Sequence, residues 1–399
     1  MNVKYLLFGA TTFTGLFTVF NPAIAQTWTP TSAPATNWMS VASSADGSKL
    51  VAVAGGSSPS YHGQIYTSMD AGATWTATTA PDTNWMSVAS SADGTKLVAA
   101  TGMSGASGGS GLIYTSADSG ATWTPISIPG TNWWQGTAAS ADGTKLVAVA
   151  AFGPIWTSTN SGLAWTQTAA PNTNWWTAVA SSADGTKLFA LVYRGPVYTS
   201  TNSGTSWIAS DAPSTNWNSI ACSADGTRCV SGDFLDPGPI YVSTNSGVIW
   251  TAASAPIAYW HTVTSSADGK KLVAMPWGAP VHASTDFGKT WTTNDSLTKT
   301  WLAVASSADG NKLAAAAGKL IYTSQTAPIP LLNIAGSSSN LVCSWIVPSA
   351  DFVLQQNSDL TTTNWVDVTN TPTLNLTNLQ NQLILSPTNH SGFYRLRSP

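Results

Sequence analysis

Two aspartates, Asp233 and Asp236, share one short segment, Asp-Phe-Leu-Asp-Pro-Gly, of a chain of 399 residues. Many enzymes that cleave glycans use a pair of carboxyl groups, one as the acid and the other as base or nucleophile. His261 is a third weak candidate, since histidine is the commonest residue in general acid–base catalysis. The rest of the catalytic set is unknown. The same aspartates could instead be turn residues before Pro237, and they are too few to predict a calcium site. We therefore expect no metal and no cofactor.

The charge of the chain limits its partners. Charged residues make up 8% of the sequence, the formal net charge is −3, and glutamate is absent. Nucleic-acid-binding proteins need clustered Lys and Arg to meet phosphates, and no such stripe is present. We expect no nucleic acid as a partner.

A repeat explains most of the remaining aspartates. The tetrapeptide Ser-Ala-Asp-Gly recurs at intervals of 41 to 49 residues, with its aspartate at Asp46, Asp93, Asp142, Asp184, Asp225, Asp268 and Asp309. Each repeat carries four short strand patterns, which is typical of one blade of a β-propeller. The last repeat stops after its third strand at Ser324, and an unmatched fourth strand lies at 26–29. The sequence therefore predicts an all-β fold, a seven-bladed propeller closed by its N-terminal strand.

A second repeated turn follows the pattern Ser-x-Asp-x-Gly-x-Thr-Trp. Three copies contain aspartate (Asp70, Asp118 and Asp286), and three contain asparagine (Asn160, Asn202 and Asn245). This pattern resembles the Asp-box (BNR repeat) of sialidase-like and photosystem-assembly-factor-like propellers, over residues 26 to about 325. In those families the box lies away from the active face, so the resemblance implies a structural role for all six residues. It also implies an arginine triad, a tyrosine nucleophile and a glutamate in a sialidase, which this chain cannot supply.

Function is expected where the repeats differ. The loops between the second and third strands and the connectors between blades emerge on one face, which we call the variable face. Its departures from the repeat gather in blades five, six, seven, one and two, and aromatic rings with a few polar groups suit sugars. The candidate ligand-binding residues on this face are Tyr61, His62, Tyr193, Arg194, Asp233, Asp236, Tyr259, Trp260, His261, Trp277 and Lys299. Packing is an alternative role for Trp260 and for His261.

The two ends of the chain have other compositions. Residues 1–25 have a lysine, an apolar run and an Ala-Ile-Ala end, which predict a cleaved signal peptide and a secreted or cell-surface protein. Residues 326–340 are predicted to be a linker, and 341–399 alternate like the strands of a small β-sandwich of the fibronectin or immunoglobulin kind. Cys222 and Cys229 flank the fifth Ser-Ala-Asp-Gly turn and would bridge only if their register places them opposite each other. Cys343 would then be unpaired and buried.

Three functions remain open. The leading hypothesis is a secreted, non-catalytic propeller that binds a glycan or an extracellular protein on its variable face. The alternatives are a polysaccharide-degrading hydrolase or lyase, and a surface scaffold or adhesin. Enzymatic activity is disfavoured by the missing glutamate and arginine triad. We expect a monomer that does not span a membrane.

Overall fold

A computed structural model describes residues 27–55, 62–102, 111–130, 132–234, 236–293 and 297–325, and shorter stretches from 332 to 397. Every regular element in these residues is a β-strand, and none of them forms a helix that could cross a membrane. The described chain divides into two compact units, one within 27–325 and one from 332 onward. The predicted signal peptide lies outside the described residues.

The first unit is a seven-bladed β-propeller, as the repeats predict. The chain begins with β1 (Thr29–Pro30). Blades one to three are β2 (Trp38–Ser43), β3 (Leu50–Ala54), β4 (Ile65–Ser68) and β5 (Thr76–Ala77); β6 (Trp85–Ser90), β7 (Leu97–Thr101), β8 (Ile113–Ser116) and β9 (Thr124–Ile126); and β10 (Trp133–Ala139), β11 (Leu146–Ala151), β12 (Ile155–Ser158) and β13 (Thr166–Gln167). Blades four to six are β14 (Trp176–Ser181), β15 (Leu188–Gly195), β16 (Val197–Ser200) and β17 (Ile208–Ala209); β18 (Thr215–Cys222), β19 (Cys229–Asp233), β20 (Ile240–Ser243) and β21 (Thr251–Ala252); and β22 (Trp260–Ser265), β23 (Leu272–Ala279), β24 (His282–Ser284) and β25 (Thr292–Thr293). Blade seven is β26 (Lys299–Ser306), β27 (Lys312–Ala317) and β28 (Leu320–Gln325), with β1 as its fourth strand.

Strand β1 closes the ring. Thr29 pairs with Thr323 and Pro30 with Tyr322 in the third strand of blade seven. The preceding Trp28 is buried, and its ring centroid lies 5.2 Å from that of Trp301. Backbone pairing and an aromatic contact thus join the first described residues to the last blade.

One tryptophan per blade forms the core between blades. The seven are buried completely or almost so: Trp38, Trp85, Trp134, Trp176, Trp217, Trp260 and Trp301. In blades three and four two tryptophans are adjacent, at Trp133–Trp134 and Trp175–Trp176. The second tryptophan of each pair is buried in the core, and the first is half-buried.

The Ser-Ala-Asp-Gly turns join neighbouring blades. The sequence places each Asp beside the Lys or Arg three residues later, but those cations reach the next blade instead. The Nζ of Lys187 donates to the carbonyl oxygen of Asp225 at 2.7 Å, and its side chain packs over Gly226. Within each turn the Asp accepts from the Ser hydroxyl and from a backbone N–H two residues on, as in the Asp46 turn.

Hydrogen bonds within each turn stabilise the turns that resemble Asp-boxes. In the Asp70 turn the carboxylate accepts both the backbone N–H and the hydroxyl of Thr74. In the Asn160 turn the side-chain oxygen accepts the backbone N–H of Ala164, which has no hydroxyl. Aspartate therefore occurs where a threonine can donate to its second oxygen, and these bonds account for the turn without a ligand.

Cys222 and Cys229 stand directly opposite each other in β18 and β19 and are bridged by a disulfide. This resolves the register question that the sequence leaves open. Cys343 is free and fully buried, and burial raises the pKa of its thiol to about 11.

The second unit has two sheets that share a core. One contains β29 (Asn333–Gly336), β30 (Leu341–Ile346), β33 (Thr373–Asn375) and β34 (Gln380–Leu385), and the other β31 (Val353–Asn357), β32 (Val366–Asp367) and β35 (Phe393–Arg397). Cys343, Trp345, Leu354 and Leu383 are buried between them. Strand β29 lies inside the predicted linker 326–340 and pairs with β30, so that part belongs to this unit. The resemblance to fibronectin or immunoglobulin domains stays a prediction.

Candidate functional site

A β-bulge follows the buried tryptophan in every blade. One residue on the first strand is left without a partner on the second strand, at Met39, Met86, Gln135, Thr177, Asn218, His261 and Leu302. A bulge re-aims the side chain it carries and often lies next to a functional site. The residue type varies among these seven positions although the surrounding repeat is nearly constant. The fold therefore requires the bulge but not a particular side chain at it.

Aromatic side chains of blades three and four form a continuous group on the variable face. We call Trp133, Phe152, Trp175 and Tyr193 the blade 3–4 cluster. The ring of Trp175 lies at its centre, with centroid distances of 5.1 Å to Phe152, 4.7 Å to Tyr193 and 6.3 Å to Trp133. Phe152 is 63% exposed. The phenyl ring of Phe152 is therefore exposed to solvent, next to the three half-buried rings of the cluster.

A second aromatic group lies between blades five and six. We call Phe234, His261 and Trp277 the blade 5–6 cluster. Phe234 lies 4.6 Å from His261 and 5.7 Å from Trp277, and the other two rings are 5.3 Å apart. Trp277 is 45% exposed and is held by the two rings behind it.

The imidazole of His261 is neutral at ordinary pH. Burial lowers its pKa to about 4, and a hydrogen bond to the backbone of Leu302 only partly offsets this effect. Its Nδ1 is buried without a hydrogen-bond partner among the described residues. The blade 5–6 cluster therefore has no positive charge, which suits a neutral ligand.

A chain of polar contacts links the two clusters. The Nε of Arg194 donates to Asn216 at 3.3 Å, and the Nδ2 of Asn216 donates to Asp236 at 3.2 Å. Asp236 is exposed and follows Phe234 in the same loop. Arg194 and Asp236, both predicted as site residues, are thus brought together through a buried asparagine.

Asp233 is not accessible to a substrate. Its side chain is buried, one carboxylate oxygen accepts the hydroxyl of Thr215, and the other is buried with no hydrogen-bond partner among the residues that the structure describes. A glycoside hydrolase needs both carboxyl groups beside the scissile bond. The pair Asp233 and Asp236 lacks that access in this conformation.

The remaining predicted site residues lie elsewhere. Trp260 is fully buried and its indole donates to the carbonyl of Gly238, so it offers no ring face to a ligand. Tyr259 is exposed at the edge of blade six, and the Nζ of Lys299 lies 5.0 Å above the ring of Tyr322. His62 is exposed in blade one, whereas Tyr61 lies outside the described residues.

Four participants were missing from the predicted set: Trp133, Phe152, Trp175 and Phe234. The doubled tryptophans at 133–134 and 175–176 were the available signal, because only one residue of each pair can occupy the single buried position. Phe152 and Phe234 occur in loops without a motif, and only the fold reveals their contacts.

The spaces between blades are small and lie on the opposite face. One of about 50 Å³ is lined by Gly47, Ala71, Lys312 and Gln325, and two others are about 10 Å³ each. The first could hold a few water molecules, and each of the other two about one at most. Within the described residues no three His, Cys or Asp side chains form a metal-binding group.

Comparisons with known proteins support the class that this geometry defines, a β-propeller. No family model and no curated protein sequence matches the chain. Among solved structures it is similar to YCF48 from Cyanidioschyzon merolae, at 15% identity and a TM-score of 0.57, covering 75% of this chain and 98% of that one. A structure of YCF48 bound to D1 peptide is similar at 14% identity and a TM-score of 0.57, covering 76% and 97%. The GH74 xyloglucanase from Xanthomonas campestris has 18% identity and a TM-score of 0.59, covering 80% of this chain and 59% of the enzyme. Likeness at this level shows the fold alone.

Proposed function

We propose that the protein is a secreted, non-catalytic propeller that binds a glycan on its variable face. The observation that carries the proposal is the exposed ring of Trp277, which contacts Phe234 and His261, whereas the tryptophan of each blade core is buried. Sugars stack on such rings and hydrogen-bond at their edges.

The absence of catalysis in this proposal rests on Asp233. With one oxygen occupied by Thr215 and the whole carboxylate buried, the carboxylate pair cannot flank a glycosidic bond. The similar xyloglucanase is an enzyme by its name, but at 18% identity that likeness carries no activity to this chain.

A glycan array with the mature chain tests the proposal. Trp277→Ala should reduce binding by about fivefold or more, since one stacking contact contributes on the order of 1 kcal/mol. Leu163→Ala is the matched control, because Leu163 is an exposed apolar residue in a turn on the other face and its loss should change nothing. Asp233→Asn should leave binding intact.

Three results would contradict this function. Equal binding by the wild type and Trp277→Ala would show that the blade 5–6 cluster does not contact the glycan. Depolymerised product in the assay would show that the protein is an enzyme. Specific capture of a protein with no glycan binding would favour the other ligand class, for which the similar YCF48 solved with a peptide is the precedent.

A further inference from the structure

Two residues at the edge of the blade 3–4 cluster have strained backbones. Phe152 has a φ of 53° and Arg194 a φ of 54°. Left-handed backbone is costly for residues with a side chain, by about 1 kcal/mol or more. Blade six has Gly278 at the corresponding place, with a φ of 66°.

Packing does not compensate for this strain in an obvious way. A side chain added at Gly278 would meet no atom within 4 Å, so the position opens into solvent. Phe152 and Arg194 are both exposed. Six turn residues on the other face also have a positive φ, so the strain does not identify a site by itself; it fixes where these two exposed side chains stand.

Arg194 is held in one orientation. Tyr193 pairs with Asn216 and Gly195 with Thr215, so Arg194 is the bulged residue between two paired positions that join blades four and five. Its guanidinium carbon lies 5.3 Å over the ring of Tyr193, and its Nε donates to the buried Asn216. Within the part of the chain that the structure describes, the two terminal nitrogens donate no hydrogen bond.

The charge of Arg194 is not neutralised by an ion pair. The one salt bridge among the described residues joins Lys270 to Asp268, on another part of the propeller. Asp236 is linked to Arg194 only through Asn216, which donates to one of its oxygens. A planar guanidinium with unoccupied terminal N–H groups matches a carboxylate.

We propose that Arg194 and Phe152 form a subsite for a carboxylate-bearing sugar, a uronate, within an otherwise neutral glycan. The inference rests on the proposed function and names the class of sugar. The carboxylate would accept from the terminal nitrogens of Arg194, and the apolar face of the sugar would lie on Phe152. A single arginine fits isolated uronates and not a polyanion, because the rest of this surface has little positive charge.

The test uses pairs of oligosaccharides that share a backbone: a neutral chain, the same chain with one glucuronate, and its carboxyl-reduced form. Titration calorimetry with the mature chain should give at least about fivefold tighter binding of the acidic member at low salt, and the difference should shrink as salt increases. Arg194→Gln should remove the difference between the acidic and the neutral members. Asp236→Asn should increase it, because a neighbouring negative charge is lost.

Arg194→Gly separates a binding role from a structural one. This variant has the residue of blade six, so it should raise the melting temperature by relieving strain while the acid preference disappears. A purely structural arginine would lower the melting temperature when removed. Phe152→Gly should behave in the same way, with weaker binding of both members of a pair.

Each outcome decides between the two proposals. Equal affinity for acidic and neutral members, or a preference that persists in Arg194→Gln, overturns the uronate subsite while binding that depends on Trp277 would leave the proposed function standing. Acid-dependent binding through Arg194 without any effect of Trp277→Ala supports the subsite and contradicts the role of the blade 5–6 cluster. An acidic peptide that binds Arg194 more tightly than any uronate would overturn the sugar assignment.

Discussion

The backbone N–H of Ala308 donates to the carbonyl oxygen of Ala45, 2.7 Å away, although the two residues belong to the last and first blades. The same bond links each Ser-Ala-Asp-Gly turn to the next: Ala45 to Ala92, Ala92 to Ala141, Ala141 to Ala183, Ala183 to Ala224, Ala224 to Ala267 and Ala267 to Ala308. The seven turns therefore form a closed ring of hydrogen bonds. Every turn thus donates to one neighbour and accepts from the other through the backbone of its alanine.

The ring of turns does not make strand β1 dispensable. A chain that begins at Pro34 loses the pairing of Thr29 and Pro30 and the buried ring of Trp28. Loss of a buried tryptophan alone costs about 3–5 kcal/mol, a large part of the stability of a domain. This truncated chain should melt far below a chain that begins at Gln26 in calorimetry, and Thr29→Ala, which keeps the backbone, should melt near the longer chain. Equal melting temperatures would mean that the alanine ring alone closes the propeller.

The sequence was sufficient to predict the scaffold because every blade repeats the same local solution. Each repeat has a tryptophan in its first strand followed by Ser-Ala-Asp-Gly, and the unmatched strands at the two ends imply closure. The site was harder to predict. Trp175, at the centre of the blade 3–4 cluster, looks in the sequence like the buried tryptophan of its repeat.

The distance to the next turn distinguishes the two rings of a doubled tryptophan, because each buried tryptophan, Trp134 and Trp176 included, lies six residues before the serine of Ser-Ala-Asp-Gly. Asp233 illustrates the opposite error. Its spacing from Asp236 suggests a catalytic pair, whereas pairing opposite Trp217 in β18 and β19 buries its carboxylate. Burial depends on the neighbouring strand, which the linear spacing does not contain.

The contact between blades at the Ser-Ala-Asp-Gly turns predicts a large effect for a small substitution. Gly143 has a φ of 63°, and a Cβ there would lie 2.7 Å from the Cβ of Lys96 in the previous blade. Gly143→Ala should lower the free energy of unfolding by about 2–4 kcal/mol, from backbone strain and overpacking together. Gly318→Ala isolates the backbone part, because Gly318 has a φ of 56° with no atom near its Cβ position, and it should cost about 1 kcal/mol. Urea denaturation measures both, and similar losses would show that the contact with Lys96 contributes nothing.

The carboxylate of Asp70 should make the stability depend on pH in the acid range. The hydroxyl and backbone N–H of Thr74 and the hydroxyl of Ser68 hold the pKa of Asp70 at about 2, below its ordinary value of 3.8. A depressed pKa stabilises the folded state fully above about pH 4 and loses that contribution as the pH falls toward 2. Asp70→Asn should therefore flatten the decline in melting temperature between pH 4 and pH 2. Asp82→Asn is the control, because no hydrogen bond to its carboxylate is found within the described part of the chain, and it should follow the wild type; a wild-type slope in Asp70→Asn would contradict the assignment.

The disulfide between Cys222 and Cys229 should stabilise the fifth blade, since it closes a loop with a sequence separation of 7. For a loop of this length the entropy of the unfolded chain gives about 2–3 kcal/mol. Cys222→Ser with Cys229→Leu restores the residues at the corresponding places of blade one, Ser43 and Leu50, so it removes the bridge without leaving a cavity. Reductant should lower the melting temperature of the wild type and leave that of the double variant unchanged. Cys343→Ser is the control that keeps the bridge, and its melting temperature should remain sensitive to reductant; if the wild type is insensitive as well, the bridge contributes no stability to the propeller.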